Sequence, residues 1–201
     1  MKTSQIDNGF IIKRLLEHWD FDPNANACIL ASRVTHEVLS YFGVPHAVMP
    51  TQAIAMNEMM LSHVMAGTPH SEWHAEAWSV GVGFPNMVAT NRDNRDPVGF
   101  DGHLIVTTRV TLIDLSAGQF DRPTYGIVTG GPMTYPLSQI SNESVPGFGD
   151  KKFLHINLKE GHLFLRPFEN DAYKMSKDYR VNYTRLASPI IRAIKQDIKN
   201  L

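Results

Sequence analysis

The stretch His103-Leu104-Ile105-Val106-Thr107-Thr108-Arg109-Val110-Thr111-Leu112-Ile113-Asp114 carries the strongest β signal in the chain. Two β-branched runs meet at Thr108-Arg109, so the segment reads as an antiparallel hairpin. A two-residue loop at Thr108-Arg109, or a four-residue loop over 107–110, sets His103 directly opposite Asp114. Their Cβ atoms would then stand about 4.5–5.5 Å apart. That spacing suits a carboxylate that accepts a proton from one imidazole nitrogen while the other nitrogen faces a nucleophile.

Upstream of the hairpin, apolar spacing predicts helices over 10–19 and 27–42, the second ending at Gly43 with Pro45 close behind. A short strand is expected over 46–49, a Met-rich helix over 53–65 and a strand over 78–84. The polar segment 86–101 reads as a long loop that enters directly before His103, placed to act as a lid. Downstream, a second hairpin is expected over 153–158 and 162–167, turning at Lys159-Glu160-Gly161, and a helix over 188–201 with Ile190, Ile191, Ile194 and Ile198 on one stripe. Helices first and antiparallel strands later indicate an α+β fold. Residues 1–201 are read as one domain with a C-terminal hairpin plus helix.

Composition narrows the function. At 201 residues the chain buries about 70% of its unfolded surface, enough for a core without staples. The formal net charge is −1 and no Lys/Arg block occurs, which argues against nucleic-acid and membrane partners. No stretch reaches 18 apolar residues and no apolar leader segment opens the chain, so a cytoplasmic protein is expected, with non-classical export left open. No Gly-rich phosphate loop or dinucleotide fingerprint appears, and no cofactor is expected. Oligomeric state is not written in the sequence.

Cys28 is the sole cysteine, which excludes an internal disulfide and a multi-cysteine zinc site. It opens the expected helix over 27–42, where the helix dipole and free first-turn N–H groups stabilise a thiolate and can help bind an oxyanion. A free cysteine is also simply a small buried hydrophobe. Cys28, His103 and Asp114 in this order favour nucleophilic chemistry. Asn24 and Asn26 are candidates for an oxyanion-hole amide, and each is equally a helix N-cap. Gln119 is placed to orient the histidine, with ordinary turn chemistry as its alternative.

These residues also carry a family resemblance. The segment Asn26-Ala27-Cys28-Ile29-Leu30 through Gly43-Val44-Pro45 resembles the nucleophile helix of the transglutaminase-like branch of papain-like cysteine proteins. Gly102-His103-Leu104 is similar to its His strand, and Ile113-Asp114-Leu115-Ser116 with Gln119-Phe120 is similar to its Asp strand. Leu104 stands where the family commonly has an aromatic residue, and Leu115-Ser116 where it has Pro-Thr. The resemblance, over about half the chain, implies a nucleophile helix packed on an antiparallel sheet. It also implies thioester acyl transfer on a protein or peptide: hydrolysis, deamidation or transfer to an amine.

Two other readings stay open. Met49, Met56, Met59, Met60 and Met65 could form an adaptable peptide groove on a non-catalytic, partner-binding scaffold. His63, His70 and His74 with Glu72 and Glu76 form a local cluster, and His70/His74 have helical metal-ligand spacing, but the metalloprotease order is absent and no metal ligand is assigned. His74 and Trp78 are instead candidates to line a substrate cleft beside Cys28.

Overall fold

The computed structural model describes residues 7–20, 28–84, 101–150, 152–176, 178–180 and 182–201. Its elements are helices α1 (Asn8–Glu17), α2 (Cys28–Tyr41), α3 (Glu58–Ala66) and α4 (Tyr183–Lys199), and strands β1 (Ala47–Met56), β2 (Ser79–Val82), β3 (His103–Thr107), β4 (Thr111–Asp114), β5 (Met133–Pro136), β6 (Ser141–Ser144), β7 (Lys152–Asn157) and β8 (His162–Pro167). All the strand pairs are antiparallel. The sheet order is β5-β4-β3-β1-β8-β7-β6, with β2 also on β1. The fold is α+β.

Helices α1, α2 and α4 share one core with Val106, Ile113 and Leu115, while Ile105, Leu112 and Phe120 join Ala53, Ala55, Leu163 and Leu165 in another. Alternation along β3 and β4 therefore feeds two cores, which is why both strands read as nearly unbroken apolar runs.

The expected helix over 53–65 is corrected. Residues 53–56 belong to the strand β1, and the helix begins at Glu58 with the Asn57 side chain accepting from Met60 N–H. Ala and Met favour helices, but β1 pairs with β8 on one edge and with β3 and β2 on the other, and burial of Ala53, Ile54, Ala55 and Met56 overrides the propensity. Pro50 is tolerated inside β1 at the point where the β8 ladder ends, its carbonyl accepting from Phe168 N–H. The strand expected to end at Met49 thus runs on to Met56.

The C-terminal helix starts five residues earlier than expected, capped by Asn182, whose side chain accepts from Thr184 N–H. Pro189 lies in its second turn. Burial of Tyr183, Ala187, Ile190 and Ile194 along one stripe outweighs the single hydrogen bond that Pro189 cannot donate.

The first hairpin's register is also corrected. Val106 pairs with Ile113 and Thr107 with Leu112, and Thr108 N–H donates to the Thr111 carbonyl. The turn is therefore centred on Arg109-Val110, one residue later than expected. Carried down the strands, this register sets His103 opposite Ser116 and makes Asp114 its diagonal neighbour. A shift of one residue in turn centre moves each partner by two, so the side chains keep their faces.

Candidate active site

His103 begins β3 and is fully buried; its Nε2–H donates to Asp114 Oδ2 at 2.6 Å. The diagonal placement is within reach because an imidazole and a carboxylate together span the wider gap. Asp114, 1% exposed, is held in turn: Ser116 N–H and Ser116 Oγ–H both donate to Asp114 Oδ1 at 3.0 Å. The strand start is pinned from both neighbours, Thr51 Oγ–H donating to the His103 carbonyl at 3.1 Å and Ser32 Oγ–H to the Leu104 carbonyl at 3.1 Å. Phe120 meets the His103 ring edge-on, with centroids 5.1 Å apart.

Cys28 is the first residue of α2 and is buried against Ile29, Leu104 and Tyr173. Its side chain lies close enough to His103 to act on the ring's titration. With Nε2 committed to Asp114, Nδ1 is the nitrogen that can exchange a proton with another group. The histidine pKa is raised from 6.5 to about 10. Burial, the largest influence, works against the charged ring; Asp114, through charge and hydrogen bond, and Cys28, through hydrogen bond and charge, together outweigh it. An imidazole anchored by a carboxylate at one nitrogen and facing a thiol at the other can take the thiol proton and return it.

Gln119 stands elsewhere than on the Asp114 strand. It lies in a 3-10 turn (Ala117–Phe120) that folds back over the histidine, and its Nε2–H donates to His103 Nδ1 at 2.6 Å. Among the sequence candidates, the structure thus gathers Cys28, His103, Asp114 and Gln119. Asn24 and Asn26 lie outside the described residues, as does the expected loop over 86–101 up to residue 100.

His74 and Trp78 are not brought to this cluster. Trp78 stacks on Tyr125, centroids 3.6 Å apart, and lines an open groove of about 840 Å³ with Asn57, Glu58, Tyr125, Asn157 and His162, none of which belongs to the His103 cluster. His74 is exposed, its N–H donating to His63 Nε2. The helical spacing of His70 and His74 is not realised, because the helix there is one 3-10 turn, His70–Glu72, that ends before His74. Among the described residues no group of three or more His, Cys, Asp or Glu could hold a metal ion. No helix among them is long and apolar enough to cross a membrane.

Thr51 and Ser32 carry no signal in the sequence, whereas Ser116 and Phe120 fall in the segment that resembles the Asp strand, and Asp-x-Ser is also the pattern of an Asx turn.

Compared with family models, with curated proteins and with solved structures, the chain gives no match.

Proposed function

We propose that the protein is a thiol-dependent acyl-transfer enzyme of papain-like, transglutaminase-like architecture, acting on a protein or peptide acyl group. The observation that carries this reading is one buried imidazole, His103, bonded to Asp114 through Nε2, with the thiol that opens α2 close enough to raise its pKa.

Cys28 sulfur attacks the acyl carbon after its proton passes to His103 Nδ1. The imidazolium, stabilised by Asp114, returns that proton to the leaving group. Water or an amine then gives its proton to the same nitrogen and resolves the thioester. Asp114 holds the tautomer in which Nε2 carries the hydrogen and Nδ1 the lone pair, and Ser116 keeps the carboxylate turned toward the ring. Cys28 opens α2, and first-turn N–H groups of a helix can bind a developing oxyanion.

An activated acyl ester tests the reading without knowledge of the natural substrate. After exposure to p-nitrophenyl acetate, peptide mapping is expected to find acetyl on Cys28. The adduct should form at least tenfold more slowly in His103→Ala, by the usual scale of general-base assistance. No acetyl on Cys28, or equal rates in the two proteins, would contradict the proposal.

A further inference from the structure

Far from Cys28, four groups follow one diagonal of the sheet. Ser141 pairs with His155, Phe164 with His155 and Met56 with His162. Glu143, His155, His162 and Glu58 therefore each stand two residues along from direct opposition to the next, a separation that long side chains bridge. Glu143 Oε1 accepts from His155 Nδ1–H at 2.7 Å, His155 Nε2 meets His162 Nδ1 at 3.0 Å, and His162 Nε2–H donates to Glu58 Oε1 at 2.8 Å. The two imidazole side chains are only 11% and 12% exposed, so a ring nitrogen left without a partner there carries a cost.

Counting hydrogens decides the charge of this chain. Each of its three links needs one hydrogen, and an ionised carboxylate has none to give. Glu143 is an acceptor: Ser141 Oγ–H donates to the same Oε1 at 2.8 Å, and the His155 bond holds its carboxyl below the ordinary 4.5. Two neutral imidazoles supply two hydrogens, both spent on the outer links. His155 Nε2 and His162 Nδ1 would then face each other as bare lone pairs, so closing the inner link takes a third hydrogen. Asn157 Oδ1, also an acceptor, stands 3.1 Å from His162 Nδ1 and puts that hydrogen on His162. The His36–His46 pair needs no such addition. There His46 Nδ1–H donates to the Val44 carbonyl at 2.7 Å and His36 Nδ1–H to His46 Nε2 at 2.8 Å, two links served by two neutral rings.

We infer that the Glu143-His155-His162-Glu58 chain is a binding site for one proton: with it the line is closed from β6 to the start of α3, and without it the link between the two rings parts. The inner link is the one that opens, because both outer bonds end on carboxylates and bonds to an ionised group are the stronger. In the step the His162 Nδ1–H bond breaks and its proton passes to water, leaving two neutral rings.

The site lies on the wall of the open groove. Glu58, Asn157 and His162 line it, and Glu76, Tyr125, Lys159 and Glu160 are the other titratable groups there. Phe164 covers the face of His155, and the Tyr135 hydroxyl donates to the Asn157 carbonyl rather than to either ring. Release of the proton therefore takes one positive charge from a wall that carries three carboxylates and one ammonium. This inference does not depend on the chemistry of Cys28.

Ring-nitrogen NMR of the full native chain counts the hydrogens directly. At about pH 6, on the acid side of an ordinary imidazole, His162 should carry hydrogen on both ring nitrogens and His155 on Nδ1 alone, with scalar coupling between His155 Nε2 and His162 Nδ1. At about pH 9 that coupling and the His162 Nδ1 hydrogen should be lost while both outer hydrogens remain. The coupling between His36 and His46 should survive the same change, which excludes a general loosening of the fold. Two neutral rings at the lower pH, two cationic rings at the lower pH, or an inner coupling that persists at the higher one would each overturn the proposal.

Discussion

Two imidazole assemblies are built on the same sheet to different rules. At β3 a single ring, His103, is fully buried and meets one carboxylate, one carboxamide and one thiol. Across β6, β7, β8 and the start of α3 runs a chain of four groups: Glu143 Oε1 accepts from His155 Nδ1 at 2.7 Å, His155 Nε2 meets His162 Nδ1 at 3.0 Å, and His162 Nε2 donates to Glu58 Oε1 at 2.8 Å. That chain has a carboxylate at each end, lies at the surface, and offers no nucleophile. Glu58 is 80% exposed there, whereas Asp114 is sealed from solvent. The difference teaches what makes an imidazole chemically useful: a partner fixes one nitrogen, burial strengthens the pairing, and the other nitrogen faces something that can react.

Breaking the two assemblies should cost unequal amounts. Asp114→Ala leaves His103 buried without its counter-charge and is expected to lower stability by about 3–5 kcal/mol in urea unfolding. Glu143→Ala removes a part-exposed partner and should cost no more than about 1 kcal/mol. Equal losses would erase the distinction.

Their pH dependences should fall at opposite ends of the scale. His103 has a folded pKa raised above its unfolded value, so its stabilising contribution is complete below about 6.5 and is lost as pH rises toward about 10. The midpoint of thermal unfolding should therefore fall over that alkaline range, and fall less in Asp114→Asn. Glu143 is held below the ordinary 4.5, chiefly by the hydrogen bond from His155, with burial opposing. Its contribution is present above 4.5 and is lost as pH drops through the lower value, so Glu143→Gln should flatten the acid side of the curve. An alkaline loss unaffected by Asp114→Asn would separate His103 from that carboxylate.

The smallest effect sharpens the contrast from the other side. His155→Phe keeps a ring stacked on Phe164, now 4.4 Å from the His155 centroid, and deletes the chain's central link. Cys28 alkylation should stay within about twofold of native, the ordinary spread for a substitution remote from the reacting groups. A larger change would show that the assemblies communicate.

What could be read from sequence followed the robustness of each signal. Alternation puts His103 and Asp114 on one face whichever of the two turn centres is taken, because a shift of one residue at the turn preserves alternation along the strands. The helix from Cys28 was legible in its apolar face and its Gly43 stop. The second half of β1 was not: Ala53, Ala55 and Met56 carry helix propensity, and only pairing on both edges makes them a strand. Pro189 concealed the first turns of α4 in the same way. β5 and β6 are only four residues long, too short for alternation to announce them. The sequence shows Gln119 only as a near neighbour of Asp114; its bond to Nδ1 follows from a 3-10 turn that folds the chain back, which no periodicity announces.

The central claim is that His103 activates Cys28. Its most direct measurement is the iodoacetamide alkylation rate of Cys28 between about pH 5 and 9 in the native protein and in His103→Ala, spanning the range in which an ordinary thiol, with its pKa of about 8.5, begins to react. The account predicts rapid alkylation in the native protein at about pH 6, at least roughly tenfold above His103→Ala, with the two rates converging as pH approaches 9. Superimposable profiles for the two proteins would contradict it.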